Sequence, residues 1–403
     1  MALRPILSSL LRNRAGALLV SIQIALTLAI VVNAVYVTEQ RVTKIGRPSG
    51  MDDQNQFALA VTGFEKNFDY FAMVRADMAM LRDLPGVIDA TPINQIPLSG
   101  GGSSTQFYSL PDKKGEGSPV AYYSVDEHAV KTLGVKLADG KTFAAGDVEY
   151  RPKEIQGYPP TAVVTRAFAE ALFPKKADKL VGKTFYDDQS RPIVIAGVLE
   201  QMHGAWVGWD KLDRVMLMPM VGPGPNARYL VRTEPGRIDA VMAATEAALR
   251  KRDPNRVVGK LRTVNNFKQS SYAGDSLMAV TLSIVTGLVL VFSALGIFGL
   301  ATFNVNTRTR QIGTRRAVGA RKRDIVSYFL AENWMITSLG VVAGCAMALG
   351  IGYWLSNQFG LPRLDLYYLV GGVAGLWTLG QLAAWQPALR AAKVSPAMAT
   401  RSV

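Results

Sequence analysis

A chain of 403 residues that is 49% hydrophobic, with a positive mean hydropathy, is too apolar to be read as soluble domains alone. Its formal charge of +14 and pI near 9.8 would suggest nucleic acid if spread evenly, but the basic residues are clustered, and a single cysteine excludes a disulfide-stapled fold.

The first element is a stretch without Asp, Glu, Lys or Arg, residues 15–38, preceded by a short N-terminal segment, 1–14, that carries Arg4, Arg12 and Arg14 and is expected to be amphipathic and cytoplasmic. Since roughly 20 apolar residues cross a bilayer, 15–38 is predicted to be the first transmembrane helix. A Val-Asn-Ala triplet ends at Ala34, but the apolar core is about twice a signal peptide's usual h-region, so an uncleaved anchor is expected.

Residues 39–276 follow as an extracytoplasmic segment in which short β-type runs alternate with amphipathic helical ones, which predicts a mixed α/β (α+β) domain and not a sandwich. Strands are expected at Phe57 to Val61, Val87 to Ala90, Val120 to Val125, Thr161 to Thr165, Ile193 to Leu199, Val215 to Met218 and Tyr229 to Arg232. Phe68, Phe71, Val74, Met78 and Leu81 recur at helical spacing, and a last helix runs from about Arg237 to Arg252, before Asp253 and Pro254. Leu98 to Thr105 and Val221 to Asn226, rich in Gly, Pro and Ser, read as flexible loops. The Gly-Lys-Thr triplets at Gly140 and Gly182 lack the glycine that a phosphate-binding loop needs five residues earlier, where Val135 and Ala177 stand, so both read as turns beside strands. His128 and His203 have no second ligand at metal-binding spacing, and no metal is expected. Trp206 and Trp209, set among glycines, read either as a loop that touches substrate or partner or as ordinary packing into the domain.

The second charge-free run, 277–304, is longer than a hydrocarbon core near 30 Å requires and is expected to continue outward as a stalk. A basic segment, 305–332, separates it from the third run. Asn306 to Val318 has few helix breakers and places Ile312 among arginines, Gly319 is a helix stop, and Arg321 onward leads into the next span. This predicts a short helix across the mouth of two spans. The third span, 333–357, holds Cys345 and repeats Gly340, Gly344, Ala348 and Gly352 on one face, a stripe suited to close helix packing within the chain or between two copies. A short external loop, 358–365, leads to the fourth span, 366–389, and a C-terminal segment, 390–403, with Arg390, Lys393 and Arg401. Placing both termini and the 305–332 segment inside puts all three basic clusters in the cytoplasm. The predicted fold class is therefore a membrane protein with four transmembrane α-helices, N-in and C-in, and a large mixed α/β (α+β) periplasmic domain between helices 1 and 2. No span carries a charge near its middle, which argues against an ion pathway or a polar solute route between them.

The run Thr309 to Ala320, followed by Arg323, Asp324, Ile325 and Phe329 to Glu332, resembles the cytoplasmic loop and third-span start of the MacB and FtsX type ABC transporter permeases, the mechanotransmission or type VII ABC proteins. Leu10 to Arg14, Pro387 to Ala392 and Ser395 to Ala397 are similar to that family's ends, and Leu84 to Val87 with Gly182 to Val198 are more loosely similar to its periplasmic core. The resemblance implies a non-catalytic permease subunit in a bacterial inner membrane. It implies a dimer of ABC ATPase subunits that binds ATP and Mg in separate chains, and a second permease, identical or related. Arg308, Arg310, Gln311, Ile312, Gly313, Arg315, Arg316, Val318 and Gly319 would be the element seated on the ATPase, with no cofactor in this chain and no nucleic acid partner. Where the family usually has Glu, this chain has Gln311, a hint of a heteromeric pair that a homodimer also accommodates. The expected function is ATP-driven export of a periplasmic substrate with an adaptor and an outer-membrane channel. The alternatives are force transmission to a cell-wall hydrolase, a membrane sensor, or lipoprotein release.

Overall fold

The computed structural model describes residues 14–63, 69–152, 155–174, 179–223, 226–253, 255–360 and 362–395. The expected N-terminal segment up to Asn13, Phe68, Pro254, part of the loop at 221–226, and the C-terminal residues from Pro396 lie outside them. Two compact units result, 1–46 with 275–403, and 47–274.

In the first unit, four helices are long and apolar enough to cross a membrane: α1 (Arg14–Gly46), α7 (Ala273–Thr307), α9 (Lys322–Phe359) and α10 (Leu366–Ala392). Each overruns the charge-free stretch that predicts it, because polar residues at a helix end leave the hydrocarbon without breaking the backbone ladder. The small-residue stripe of α9 lies directly on α1. A Cβ at Gly340 would come within 2.6 Å of the Ser21 carbonyl, and one at Gly344 within 3.0 Å of the Ala25 backbone. The buried Asn33 of α1 donates to the Ala348 carbonyl (3.1 Å), and Gly352 faces Asn33. Asn333 donates to the Gly380 carbonyl (2.9 Å), which ties α9 to α10. Gly344→Leu is expected to push α1 and α9 apart and lower stability by about 1–3 kcal/mol. Gly350→Leu, on a face where an added Cβ would find nothing within 4 Å, is expected to change nothing measurable. Thermal unfolding of the detergent-solubilised chain compares the two.

α7 is held differently. Only 11% of its most apolar stretch is buried, against 44% for α1. Its moorings are Gln23, which donates to the Phe292 carbonyl, Thr27 paired with Ser293, and Gly296, where a Cβ would meet the Gln23 side chain. Toward its start, Asp275 receives Arg41 (2.6 Å) and Lys44 (2.8 Å) from α1.

The second unit is built on β1 (Gln56–Gly63), whose sequence alternates large and small residues. Phe57, Leu59 and Val61 point to one face and join a core with Val74, Met78 and Leu81 of α2 (Tyr70–Arg82) and with Val241 and Leu249 of α5 (Ile238–Arg252). β2 (Val87–Pro92), β11 (Ala227–Thr233), β12 (Arg256–Val258) and β13 (Arg262–Thr263) complete this antiparallel sheet in the order β12, β1, β11, β2, with β13 also on β1.

The other sheet contains β3 (Ser104–Tyr108), β4 (Gly117–Val125), β7 (Thr161–Thr165), β8 (Thr184–Tyr186), β9 (Pro192–Leu199) and β10 (Val215–Val221). Its path β4, β3, β8, β9, β7, β10 returns to β4 through a parallel pairing, so these strands close on themselves. β5 (Leu137–Gly140) adds to β9 and β6 (Glu149–Tyr150) to β10. Phe107, Phe185 and Phe168, the last from α4 (Arg166–Leu172), meet edge to face in this core. α3 (Ala129–Leu133) and α6 (Val264–Ser271) are the remaining α-helices described in the unit, beside a 3-10 turn at Ala145–Asp147.

One sequence reading is corrected here. Leu98 to Thr105 is not a free loop: Leu98 is fully buried, its carbonyl accepts from Ser271 Oγ (2.7 Å), Gly100 N donates to the Ala205 carbonyl (2.9 Å), and strand β3 begins at Ser104. The strand escapes a pattern search because only Phe107 of its five residues is buried. The turn reading of the two triplets agrees with the structure: Gly140 ends β5 and Gly182 turns into β8, both at positive φ, and neither opens a helix.

A buried ionic network crosses the first sheet. Arg256 places Nη1 at 2.9 Å from both oxygens of Asp77, and the Tyr229 hydroxyl donates to Asp77 Oδ2 (2.8 Å). The remaining Arg256 nitrogens donate to the Leu249 carbonyl. Burial, with the Asp77 charge beside it, pushes the Tyr229 phenol far above its ordinary range.

Candidate functional site: the basic helix

The chain leaves α7 at Thr307 and forms α8 (Thr309–Ala317), with Arg308 and Val318 as its two caps. Val318 N donates to the Thr314 carbonyl (3.1 Å) and Ala320 N to the Arg315 carbonyl (3.0 Å), the bonding that ends a helix in a glycine turn. Gly319 sits at φ +102°, a conformation that a Cβ would strain, and so reverses the chain into α9. Asp324 then accepts from Arg321 N (2.9 Å) and caps the new helix.

The nine residues of α8 have two faces, set by the helical repeat. Arg308, Ile312 and Arg316, four apart, face inward. Ile312 is 4% exposed and packs with Val305 of α7, Ile325 and Phe329 of α9, and Ala388, Ala391 and Ala392 of α10. Gly313 beside it is buried too. Arg308 Nη1 donates to both oxygens of Glu332 on α9 (2.9 and 3.0 Å), and Arg316 donates to the Ala392 carbonyl at the C-terminal end of α10, where a cation also meets the helix dipole. Arg315 lies over the Tyr328 ring, 4.6 Å from its centroid. The outer face presents Arg310, Gln311, Thr314, Val318 and Gly319. Val318 is 84% exposed, an apolar knob standing at the tip of a cationic surface.

The nine residues marked by sequence thus divide into anchors and an outward surface. Glu332, which the sequence reading did not single out as a partner for Arg308, is the missing member of the anchor set. Its signal was a carboxylate placed immediately before an otherwise uncharged span. Arg308→Ala is expected to cost about 3 kcal/mol, since it leaves a carboxylate that is 4% exposed without its guanidinium. The double change Arg308→Ala with Glu332→Leu should recover most of that loss, read as the thermal midpoint of the solubilised chain.

The other sequence-marked residues lie elsewhere. Gly340, Gly344, Ala348 and Gly352 are the α1 contact described above. Trp206 and Trp209 meet edge to face (5.7 Å) and are half-buried against the core that holds Ala121, Tyr123 and Leu199. In the same segment His203, 2% exposed, lies 3.0 Å from Asp213, whose carboxyl this hydrogen bond holds below the usual carboxylate range. The tryptophans are thus packing residues with one open edge.

Comparison with known proteins adds the following. Residues 18–252 match the MacB-like periplasmic core domain, and residues 283–396 match the FtsX-like permease C-terminal domain. The macrolide export ATP-binding/permease protein MacB of Rhodospirillum rubrum is 29% identical over 255 residues, 61% of this chain and 38% of that protein. The pyoverdine export ATP-binding/permease protein PvdT of Pseudomonas syringae is 23% identical over 81% of this chain and 48% of its own length. An uncharacterized ABC transporter permease of Bacillus subtilis, YknZ, is 23% identical over 69% of this chain and 68% of its own. This chain thus spans about half or less of the fused ATP-binding/permease relatives. The crystal structure of the periplasmic region of MacB from Actinobacillus actinomycetemcomitans covers 57% of the chain with a TM-score of 0.34 at 13% identity.

Proposed function

The chain belongs to the MacB and FtsX type family of ABC transporter permeases, and from that premise we propose that α8 is its coupling element. It is a membrane permease with a periplasmic-type α/β domain. In the proposed arrangement both termini and α8 face the cytoplasm of a bacterial inner membrane. A dimer of separate ATPase subunits holds ATP and Mg and seats on the outer face of α8, and a second permease, identical or related, completes the machine. ATP-driven closure moves α8 with the helices it is bolted to, and the motion reaches the periplasmic domain, which drives export of a periplasmic substrate with an adaptor and outer-membrane channel.

The observation that carries this reading is the division of α8 into two faces. Arg308, Ile312 and Arg316 fasten it to three other helices, while Arg310, Gln311 and Val318 face away from the chain. A short helix joined rigidly to α9 and α10 transmits a push, whereas a flexible basic loop would absorb it. The absence of a charge near the middle of any span is consistent with force transmission and not with cargo passing between the helices. The test is affinity purification of the tagged chain in mild detergent, with identification of copurifying proteins and assay of ATP hydrolysis. An ATPase recovered with the chain, and lost when only the outer face of α8 is altered, supports the reading. Recovery of the chain without any ATPase overturns it.

A further inference from the structure

The face of β1 opposite its large residues carries Ala58, buried in a core with Ile93, Ile96 and Val264, and Ala60, the more open of these two small side chains. A cleft of about 490 Å³ opens over them, walled by Phe267 and by the Ser99 to Ser103 turn. A second cleft of about 330 Å³ shares Asn94, Ser103 and Arg228 with it, so Arg228 stands where the two meet.

The charge in this place is unbalanced. Arg228 pairs in register with Ala60 across the sheet, which puts their side chains on one face. On the other side of β1, Gly259 N donates to the Ala60 carbonyl (2.7 Å), and the next residue is Lys260, which also lines the cleft. Among the described residues, neither cleft is lined by a carboxylate. The neighbouring cations of the same sheet are neutralised: Arg232 by Asp52 and Arg256 by Asp77. Among the described residues, Arg228 donates only to the Asn94 carbonyl, and Lys260 has no ion pair. Arg262 adds positive charge behind the wall, stacked on Phe267 at 4.3 Å.

The walls are already formed. Gln95 ties the turn to β4 by donating to the Tyr122 carbonyl (2.7 Å) and accepting from Ser103 N. A Cβ at Gly102 would meet that same Gln95 side chain and Ala205, so the turn closes tightly there. A preformed cleft with an apolar floor and convergent cations orders little on binding, which favours a small ligand.

We propose that this cleft binds an organic anion carrying one carboxylate on a flat apolar body, with the carboxylate on Arg228 and Lys260 and the body over Ala60 and Phe267. Binding there needs no ATPase, so it stands or falls independently of the coupling role of α8. The test uses the full chain in nanodiscs of zwitterionic lipid, with 2-naphthoate as probe, its neutral counterpart 2-naphthylmethanol, and empty nanodiscs as blank. Saturation-transfer NMR gives the dissociation constants. The expected result is saturable binding of 2-naphthoate at least tenfold tighter than of the alcohol, weakened at least tenfold by Arg228→Gln with Lys260→Gln, and by Ala60→Phe. Both charge changes are at exposed positions and leave the core intact. No saturable binding above the empty nanodisc, equal affinity for acid and alcohol, or affinity within twofold of wild type in the Arg228→Gln, Lys260→Gln variant would each overturn the proposal.

Discussion

Asp77→Ala is expected to lower the stability of the β-rich unit by about 3–5 kcal/mol, which is about 6–20 °C in its thermal midpoint for a unit of this size. The side chains of Asp77 and Arg256 are 0% and 1% exposed, so the change strands a guanidinium where water cannot reach it. It also removes the acceptor for the Tyr229 hydroxyl, itself fully buried. The magnitude belongs to the orphaned partner and not to the pair, and a second variant separates the two. Asp77→Leu with Arg256→Met replaces both charges by apolar groups and is expected to regain most of the loss. Thermal unfolding of the solubilised chain, followed by near-ultraviolet circular dichroism, reads both. A double variant no more stable than Asp77→Ala would show that the network holds the sheet by something other than charge compensation.

The second large effect is on assembly. Val318→Asp is expected to lower affinity for the ATPase partner by about 30-fold or more, the scale of an apolar anchor lost at the centre of an interface. Because Val318 is 84% exposed, the fold should be unaffected, with a thermal midpoint within about 1 °C of wild type. Ile312→Asp makes the informative contrast. It buries a charge among Val305, Phe329 and Ala388, so it should lose the ATPase and the local structure together. Copurification measured beside the unfolding midpoint distinguishes them. If Val318→Asp retained full ATPase binding, the outward face of α8 would not be the seat.

Much of this architecture was legible because the membrane writes a coarse signal: four uncharged runs become four helices. Strands with large apolar residues were legible too, and Thr161–Thr165 coincides with its predicted limits. What stayed hidden depended on contacts distant in sequence. The short strands Glu149–Tyr150, Arg256–Val258 and Arg262–Thr263 exist only because β10 and β1 offer them edges. The stripe Gly340 to Gly352 announced a close neighbour without saying which, and α1 proves to be that neighbour within the chain. In the basic segment, the arginines could be counted but not sorted. Whether Arg308 or Arg310 is an anchor depends on Glu332 and on the phase of a helix that begins only after α7 has ended.

The uneven holding of the four spans has a mechanical consequence. α1, α9 and α10 are interlocked by close approaches at Gly340, Gly344 and Gly372, where a neighbouring helix fills the space of a missing side chain, so sliding any of them past another meets steric resistance along its length. α7 has one such contact, at Gly296 against the Gln23 side chain. Shifting it along its axis by one turn, about 5.4 Å, would break its bonds at Gln23 and Thr27, the pairing of Asp275 with Arg41 and Lys44, and the packing of Val305 against Ile312. The bundle is in effect three interlocked helices and a fourth gripped at a few points, and the fourth is the helix whose far end turns directly into α8, so its motion and that of α9 and α10 are joined through the Arg308 and Arg316 anchors.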